Sequence, residues 1–214
     1  MILPAERRRQ LTAKAQAYAS ELEKVAPYLL GRGISFEAAR MFALGYVPDG
    51  EFEGRLSIPY VTPGGVVQMK YRCTDLSHEE NGKHTQKGCP KYLYEAGTGT
   101  YLYNAQILIH SLQRVVIVEG ELDAVCVQAY AGIPAVAYPG ADTWEKQKKH
   151  WRLCFEGVSE VIVVADGDQP GKEAARKVAD SLGFSARVVT MPPGQDSNSV
   201  IASEGAGSYL ERLQ

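Results

Sequence analysis

From residue 114 onward, four apolar runs alternate with stretches of helical periodicity, and no other feature of the 214-residue chain restricts its fold so strongly. The runs are Val115 to Val118, Ala135 to Tyr138, Val161 to Ala165 and Ala186 to Thr190; between them lie Leu122 to Ala131, Thr143 to Phe155 and Gly171 to Leu182. Strands separated by helix-length segments pair in parallel, because a crossover helix returns the chain to the same end of the sheet. The first and third runs are continuously apolar, as expected when helices cover both faces of a parallel sheet. Residues 111–214 are therefore expected to form an α/β domain.

The first half reads differently. Leu11, Ala15, Tyr18, Leu22 and Val25 recur at three- and four-residue steps through a segment of good helix formers, predicting an amphipathic helix over 6–24. Ser35 is placed as the N-cap of a short helix over 36–42, and Gly45 as the left-handed residue that ends it. Residues 55–73 alternate around Thr62-Pro63-Gly64-Gly65 and predict a β-hairpin; 74–90 are polar and aperiodic and predict a long loop, with a short strand over 91–94. These elements make residues 1–110 a small basic α+β subdomain.

Formal net charge is -2, which argues against coating nucleic acid by bulk positive charge. The balance is uneven, however: residues 1–110 carry 13 Lys and Arg against 11 Asp and Glu, and 111–214 carry 10 against 14. No apolar run approaches the roughly 18 to 20 residues of a membrane span, and the charged start at Arg7 to Arg9 is unlike a secretory leader. A cytoplasmic protein with no membrane partner is expected, and its four scattered cysteines are expected to be reduced.

In an open parallel sheet, ligands bind beyond the carboxyl ends of the strands. The first strand runs into Glu119-Gly120-Glu121-Leu122-Asp123 and the third into Asp166-Gly167-Asp168-Gln169-Pro170-Gly171. Glu119, Asp166 and Asp168 would converge on one edge, where carboxylates repel unless a cation neutralises them. A hard divalent ion suits such oxygen ligands. The competing reading is that Asp166 and Asp168 cap a helix. An EF-hand fails on spacing, since its fifth and twelfth positions would be Pro170 and Lys177, and neither a P-loop nor a dinucleotide fingerprint is present.

An apolar strand with Glu-Gly-x-x-Asp, followed by a second with Asp-Gly-Asp-x-x-Gly, resembles the TOPRIM domain of bacterial-type primases, topoisomerases and some nucleases. The primase branch is singled out by Asp166 to Ala175, by Met191-Pro192-Pro193-Gly194-Gln195-Asp196-Ser197-Asn198, and upstream by Tyr28 to Ile34, Gly54-Arg55-Leu56, Arg72, Lys91-Tyr92-Leu93 and Leu102-Tyr103. The resemblance spans residues 26–204. It implies a TOPRIM-type parallel sheet flanked by helices (111–214), a preceding primase-like basic subdomain (1–110), and a DNA-directed RNA primase of bacterial or phage type. That enzyme would be a nucleotidyltransferase making short RNA primers in DNA replication. Its partners would be single-stranded DNA and nucleoside triphosphates, with a replicative helicase as a further candidate, and its cofactor Mg²⁺ or Mn²⁺. Carried over residue by residue, Glu119, Asp166 and Asp168 are catalytic and metal-ligating, Asp196 is a further ligand, and Arg55, Arg72 and Lys91 meet nucleotide or template phosphates.

The sequence departs from the family pattern where no cysteine-rich zinc ribbon precedes the core and where Asn198 stands for the second acid of the later segment. Two other readings therefore stay open: a TOPRIM nuclease cleaving phosphodiesters, and a non-catalytic nucleic-acid-binding accessory protein. Within the polar loop, Cys73, His78, His84 and Cys89 follow a Cys-x4-His-x5-His-x4-Cys spacing. Four such residues are able to close around zinc, but the spacing matches no common finger, and the loop is read as solvated. Cys126 and Cys154 are expected in the core, and Trp144 and Trp151 to pack beneath solvated Lys146, Lys148 and Lys149.

Overall fold

A computed structural model describes residues 3–80, 83–183 and 186–214. Met1 and Ile2, on which the leader reading partly rests, lie outside them. The chain divides into two compact units, Met1–Gly99 and Thr100–Gln214. The division falls between 99 and 100 rather than 110 and 111, because Leu102 packs in the second core and Tyr103 forms an antiparallel bridge to Ala137.

In the first unit, α1 (Ala5–Ser20) is followed by a 3-10 turn (Leu22–Val25), α2 (Ala26–Gly31) and α3 (Phe36–Met41). Strands β1 (Gly45–Tyr46), β2 (Leu56–Thr62), β3 (Gly65–Arg72) and, after two minor strands, β6 (Tyr92–Tyr94) form an antiparallel sheet in the order β1-β2-β3-β6. The minor strands, β4 (Glu79–Glu80) and β5 (Lys83–His84), pair with each other. α1 lies on this sheet through Leu11 and Ala15, which join Val47, Phe52, Val66, Met69 and Tyr71 in one core. Ser35 caps α3 as expected, accepting a hydrogen bond from the Ala38 amide at 3.1 Å. Gly45 does not end that helix. Ala43 takes the left-handed conformation (φ 52°), and Gly45 is required because a Cβ there would overlap the Tyr18 backbone of α1.

The second unit is a four-stranded parallel sheet in the order β10-β9-β7-β8, built from β7 (Arg114–Val118), β8 (Ala135–Ala137), β9 (Glu160–Ala165) and β10 (Ala186–Thr190). α4 (Glu121–Cys126), extended by a π turn over Val127–Ala131, joins β7 to β8. α5 (Ala141–Trp151) then carries the chain back across to β9 on the other side of β7, and α6 (Gln169–Leu182) leads on to β10. Val115, Ile117, Val161 and Val163 form one core with Trp144 and Trp151 of α5 and Ala175 and Val178 of α6. The alternate residues Val116, Val118, Ile162 and Val164 point to the other face and are equally buried. α4 packs on β7 and β8 and is itself covered by α7 (Ser197–Arg212), which is bent at Gly205.

Trp144 and Trp151 are buried, with Lys146 and Lys149 exposed above them. Cys126 is in the core, whereas Cys154, in the turn after α5, is exposed.

Candidate active site

The chain crosses from the β8 side of β7 to the β9 side, so the crevice beyond the carboxyl ends of β7 and β9 is the topological switch point of this sheet. The last registered pair of these strands is Ile117↔Val163. Glu119 comes two residues after the first and Asp166 three after the second, which puts both half-buried carboxylates at that crevice. Two buried tyrosines register the gathered charge. Burial raises the Tyr138 hydroxyl pKa above the ordinary tyrosine range, and Glu119 and Asp166 raise it further. Tyr209 of α7 is likewise raised, by burial first and then, against its hydrogen bond with Ser197, by Asp123 and Asp166. Asp123 is thus a third carboxylate in this field. It also accepts the Asn198 amide at 2.8 Å, tying the start of α4 to the start of α7.

The other two acids named from the sequence have capping roles. Asp168 is the N-cap of α6 and accepts the Gly171 amide at 2.8 Å; it is exposed. Asp196 is the N-cap of α7 in a capping box with Ser199, whose amide it accepts at 2.7 Å. The capping reading and the site reading are compatible, since each cap uses one carboxylate oxygen. Asn198 is buried, and its Nδ2 donates to Cys126 Sγ at 2.9 Å.

The segments bearing these acids are fastened together. The Gly167 amide donates to the Gln195 carbonyl at 2.8 Å, the Met191 amide to the Ala165 carbonyl at 2.9 Å, and the Gly194 amide to the Gly167 carbonyl at 3.4 Å. A Cβ on Gly167 would overlap the Pro192 carbonyl, so only glycine lets the two loops approach so closely. The donors gathered here are hard carboxylate oxygens, a set that fits Mg²⁺ or Mn²⁺ and would not select a soft metal.

The basic residues named from the sequence lie in the first unit and have three different fates. Arg72, only 3% exposed, donates to the hydroxyls of Tyr28 and Tyr92 and pairs with Glu79 at 3.2 Å. It is a buried organiser rather than an open phosphate ligand. Arg55 donates to the Pro90 carbonyl at 2.8 Å and to Cys89 Sγ at 3.3 Å. Lys91 alone among the three is at the surface. The protein atoms crowding its ammonium, and then Arg72, Arg32 and Lys70, hold its pKa below the ordinary lysine range, against the pull of Glu79. Lys91, Arg72, Arg32 and Lys70 gather near Glu79, an arrangement that favours an anion such as phosphate.

Residues 74–90 are not the aperiodic loop expected. They contain a 3-10 turn (Leu76–His78) and the β4–β5 pair, and they bring one ligand atom each from Cys73, His78, His84 and Cys89 to within 4.8 Å of one another.

A model of the Toprim domain matches residues 114–207. The Gene 57 protein of Mycobacterium phage D29 is 38% identical over 167 residues, covering 76% of this chain and 99% of that protein. A DNA primase of Pseudomonas putida is 27% identical over 225 residues, covering 87% of this chain but 34% of the primase, so the chain spans about a third of that enzyme's length. A solved DnaG primase catalytic domain bound to single-stranded DNA shares the fold with a TM-score of 0.75 at 23% identity, covering 97% of this chain and 79% of that one. By its Toprim domain and by its likeness to the phage Gene 57 protein along nearly that protein's whole length, the chain belongs to the family of Toprim-domain proteins.

Proposed function

We propose that the chain is the catalytic core of a DNA primase, synthesising short RNA primers on single-stranded DNA from nucleoside triphosphates. The observation that carries this reading is the placement of Glu119 and Asp166 at the switch point, with the Asp166 loop fastened to residues 192–195 by the Gly167 contacts. The named relatives supply the reaction class: a DNA primase among the sequences, and a primase domain holding single-stranded DNA among the structures.

Glu119, Asp166 and Asp168, with Asp196 beside them, would hold Mg²⁺ or Mn²⁺. Such an ion neutralises triphosphate oxygens and helps align an in-line displacement. Glu119 serves as a ligand or as the base that takes the proton of the attacking 3'-hydroxyl, while pyrophosphate leaves. Asp123 and Asp196 hold α4, α7 and the 191–196 loop in register, keeping the acids together. In the first unit, Lys91 offers its charge to phosphates, and Arg72 holds Tyr28 and Tyr92 in place behind it. Among the described residues no helix is long and apolar enough to cross a membrane. A cytoplasmic replication protein, with a replicative helicase as a candidate partner, is part of the same proposal.

The test is incubation with single-stranded DNA, labelled ribonucleotides and Mg²⁺ or Mn²⁺. Oligoribonucleotides are expected, with yield falling at least about 100-fold in Glu119→Gln and Asp166→Asn. Products unchanged in both variants would refute the site. Shortened DNA without new RNA would establish the nuclease instead, and binding without either product the accessory role.

A further inference from the structure

We propose that Cys73, His78, His84 and Cys89 form a closed, structural Zn²⁺ site that folds the 73–89 segment. Two thiols and two imidazoles are a borderline-soft donor set suited to tetrahedral zinc. The spacing of the ligand atoms supports it. Tetrahedral zinc with Zn–S of about 2.3 Å and Zn–N of about 2.0–2.1 Å separates two sulfurs by about 3.8 Å and a sulfur from a nitrogen by about 3.6 Å. Cys73 Sγ and Cys89 Sγ are 3.7 Å apart, and Cys73 Sγ is 3.4 Å from His78 Nδ1. The sulfur separation is far from the roughly 2.05 Å of a disulfide.

The surroundings of the four residues have the features of a metal centre. His84 Nε2 is buried and has no hydrogen-bond partner among the described residues. An imidazole nitrogen in that position is an unexplained loss of hydration unless something binds it. His78 turns Nδ1 toward the sulfur, and its Nε2 lies 3.3 Å from Asp75 Oδ2. A carboxylate behind the distal nitrogen is the usual orienting partner of a zinc-bound histidine. Arg55 Nη2 donates to Cys89 Sγ, a contact that stabilises a thiolate. Arg55 is therefore assigned as a positioning residue of this centre.

The two cysteines bracket the segment where β3 ends and β6 begins. The Cys73 amide donates to the Lys91 carbonyl at 3.0 Å, and Arg55 holds the Pro90 carbonyl. Zinc would thus fix the backbone on which Lys91 and Tyr92 are presented.

The experiment uses the full chain, purified without a metal-affinity tag. Elemental analysis is expected to find one zinc per chain, and a Cys73→Ser/Cys89→Ser double variant to have lost it. In case that variant fails to fold, the native chain stripped of metal is titrated with Co²⁺ alone; sulfur-to-cobalt charge-transfer and tetrahedral d–d bands are expected. Arg55→Ala should weaken zinc binding about 10- to 100-fold, read by competition with a chromogenic chelator. Absence of those cobalt bands, zinc retained in the folded double variant, or a Cys73–Cys89 disulfide in freshly purified protein would each overturn the site. Unchanged zinc affinity in Arg55→Ala would overturn the role of Arg55. All these readouts are independent of primer synthesis.

Discussion

Substitution of Gly167 by alanine separates the loop contacts from ordinary glycine effects. The new methyl would overlap the Pro192 carbonyl and lie close to the Gly194 amide, both backbone groups that cannot swing aside like a flexible side chain. Forcing such a contact open has the typical overpacking penalty of about 1–3 kcal/mol. Losing the Gly167–Gln195 and Gly194–Gly167 hydrogen bonds adds about 0.5–1.5 kcal/mol each. A destabilisation of about 2–6 kcal/mol follows. The control is Gly207→Ala, the same chemical change at an exposed site in α7 with open space around it; there the helix gains about 0.5–1 kcal/mol. The chain has two tryptophans, Trp144 and Trp151, both in the core of the second unit, so their fluorescence follows the unfolding of that unit. With a urea dependence of about 1–3 kcal/mol per M, Gly167→Ala should lower the midpoint by about 0.7 M or more, while Gly207→Ala raises it slightly. A Gly167→Ala midpoint within about 0.3 M of the parent, by the precision expected of such curves, would refute the close-approach argument.

Glu95 accepts from Tyr71 at 2.5 Å and pairs with Arg7 and Lys14, each at 2.8 Å. Burial opposes its charge, but Lys14, Tyr71 and Arg7 together hold its pKa below the usual carboxylate range. Its contribution to stability is therefore complete above the unfolded value near pH 4.3 and is lost as pH falls through the depressed folded value. Glu95→Gln should destabilise the first unit by about 1–3 kcal/mol at neutral pH, and the gap to the parent should narrow as pH falls below the unfolded value near 4.3; thermal melts at neutral and acid pH check it. Lys91→Ala should leave the melting temperature unchanged and lower the salt slope of single-stranded DNA binding by about 0.7, the share of one phosphate contact. Arg72→Ala should instead unfold the first unit more easily, by about 3–5 kcal/mol, because it leaves Glu79 and two tyrosine hydroxyls without their buried cation.

The second unit was legible because its strands are buried on both faces: Val115 to Val118 and Val161 to Ala165 carry that condition in residue type alone. The positions of Glu119 and Asp166 follow from topology, since each comes just after the last paired residues of β7 and β9. Asp123 was visible only as part of a motif, since its bond to the Asn198 amide joins residues 75 positions apart. α7 left little signal, its turns being rich in serine and glycine, poor helix formers held there by packing on α4 and the π turn. Arg72 and Lys91 are alike in a sequence; burial separates them, and burial is set by Tyr28 on a distant helix. The 73–89 segment misled because its order does not come from apolar periodicity. Cross-links between polar side chains leave no trace in a hydrophobic pattern.

The bridge at Tyr103 has a consequence for association between copies. β8 is the outermost strand of the parallel sheet on its side, only three residues long, and a bare outer strand is a template for adding a foreign one. Tyr103 donates its amide to the Ala137 carbonyl at 2.8 Å and accepts the Ala137 amide at 3.2 Å, occupying that rim with the chain's own backbone. Asn104 then turns left-handed (φ 58°) and anchors its side chain on Gln128 and the Ala135 carbonyl, so the incoming chain leaves after a single pairing and offers no fresh ladder of its own. The sheet is thus closed to growth on that side by two hydrogen bonds and a turn, with Pro134 and Pro139 flanking the short strand, a safeguard against strand-by-strand aggregation.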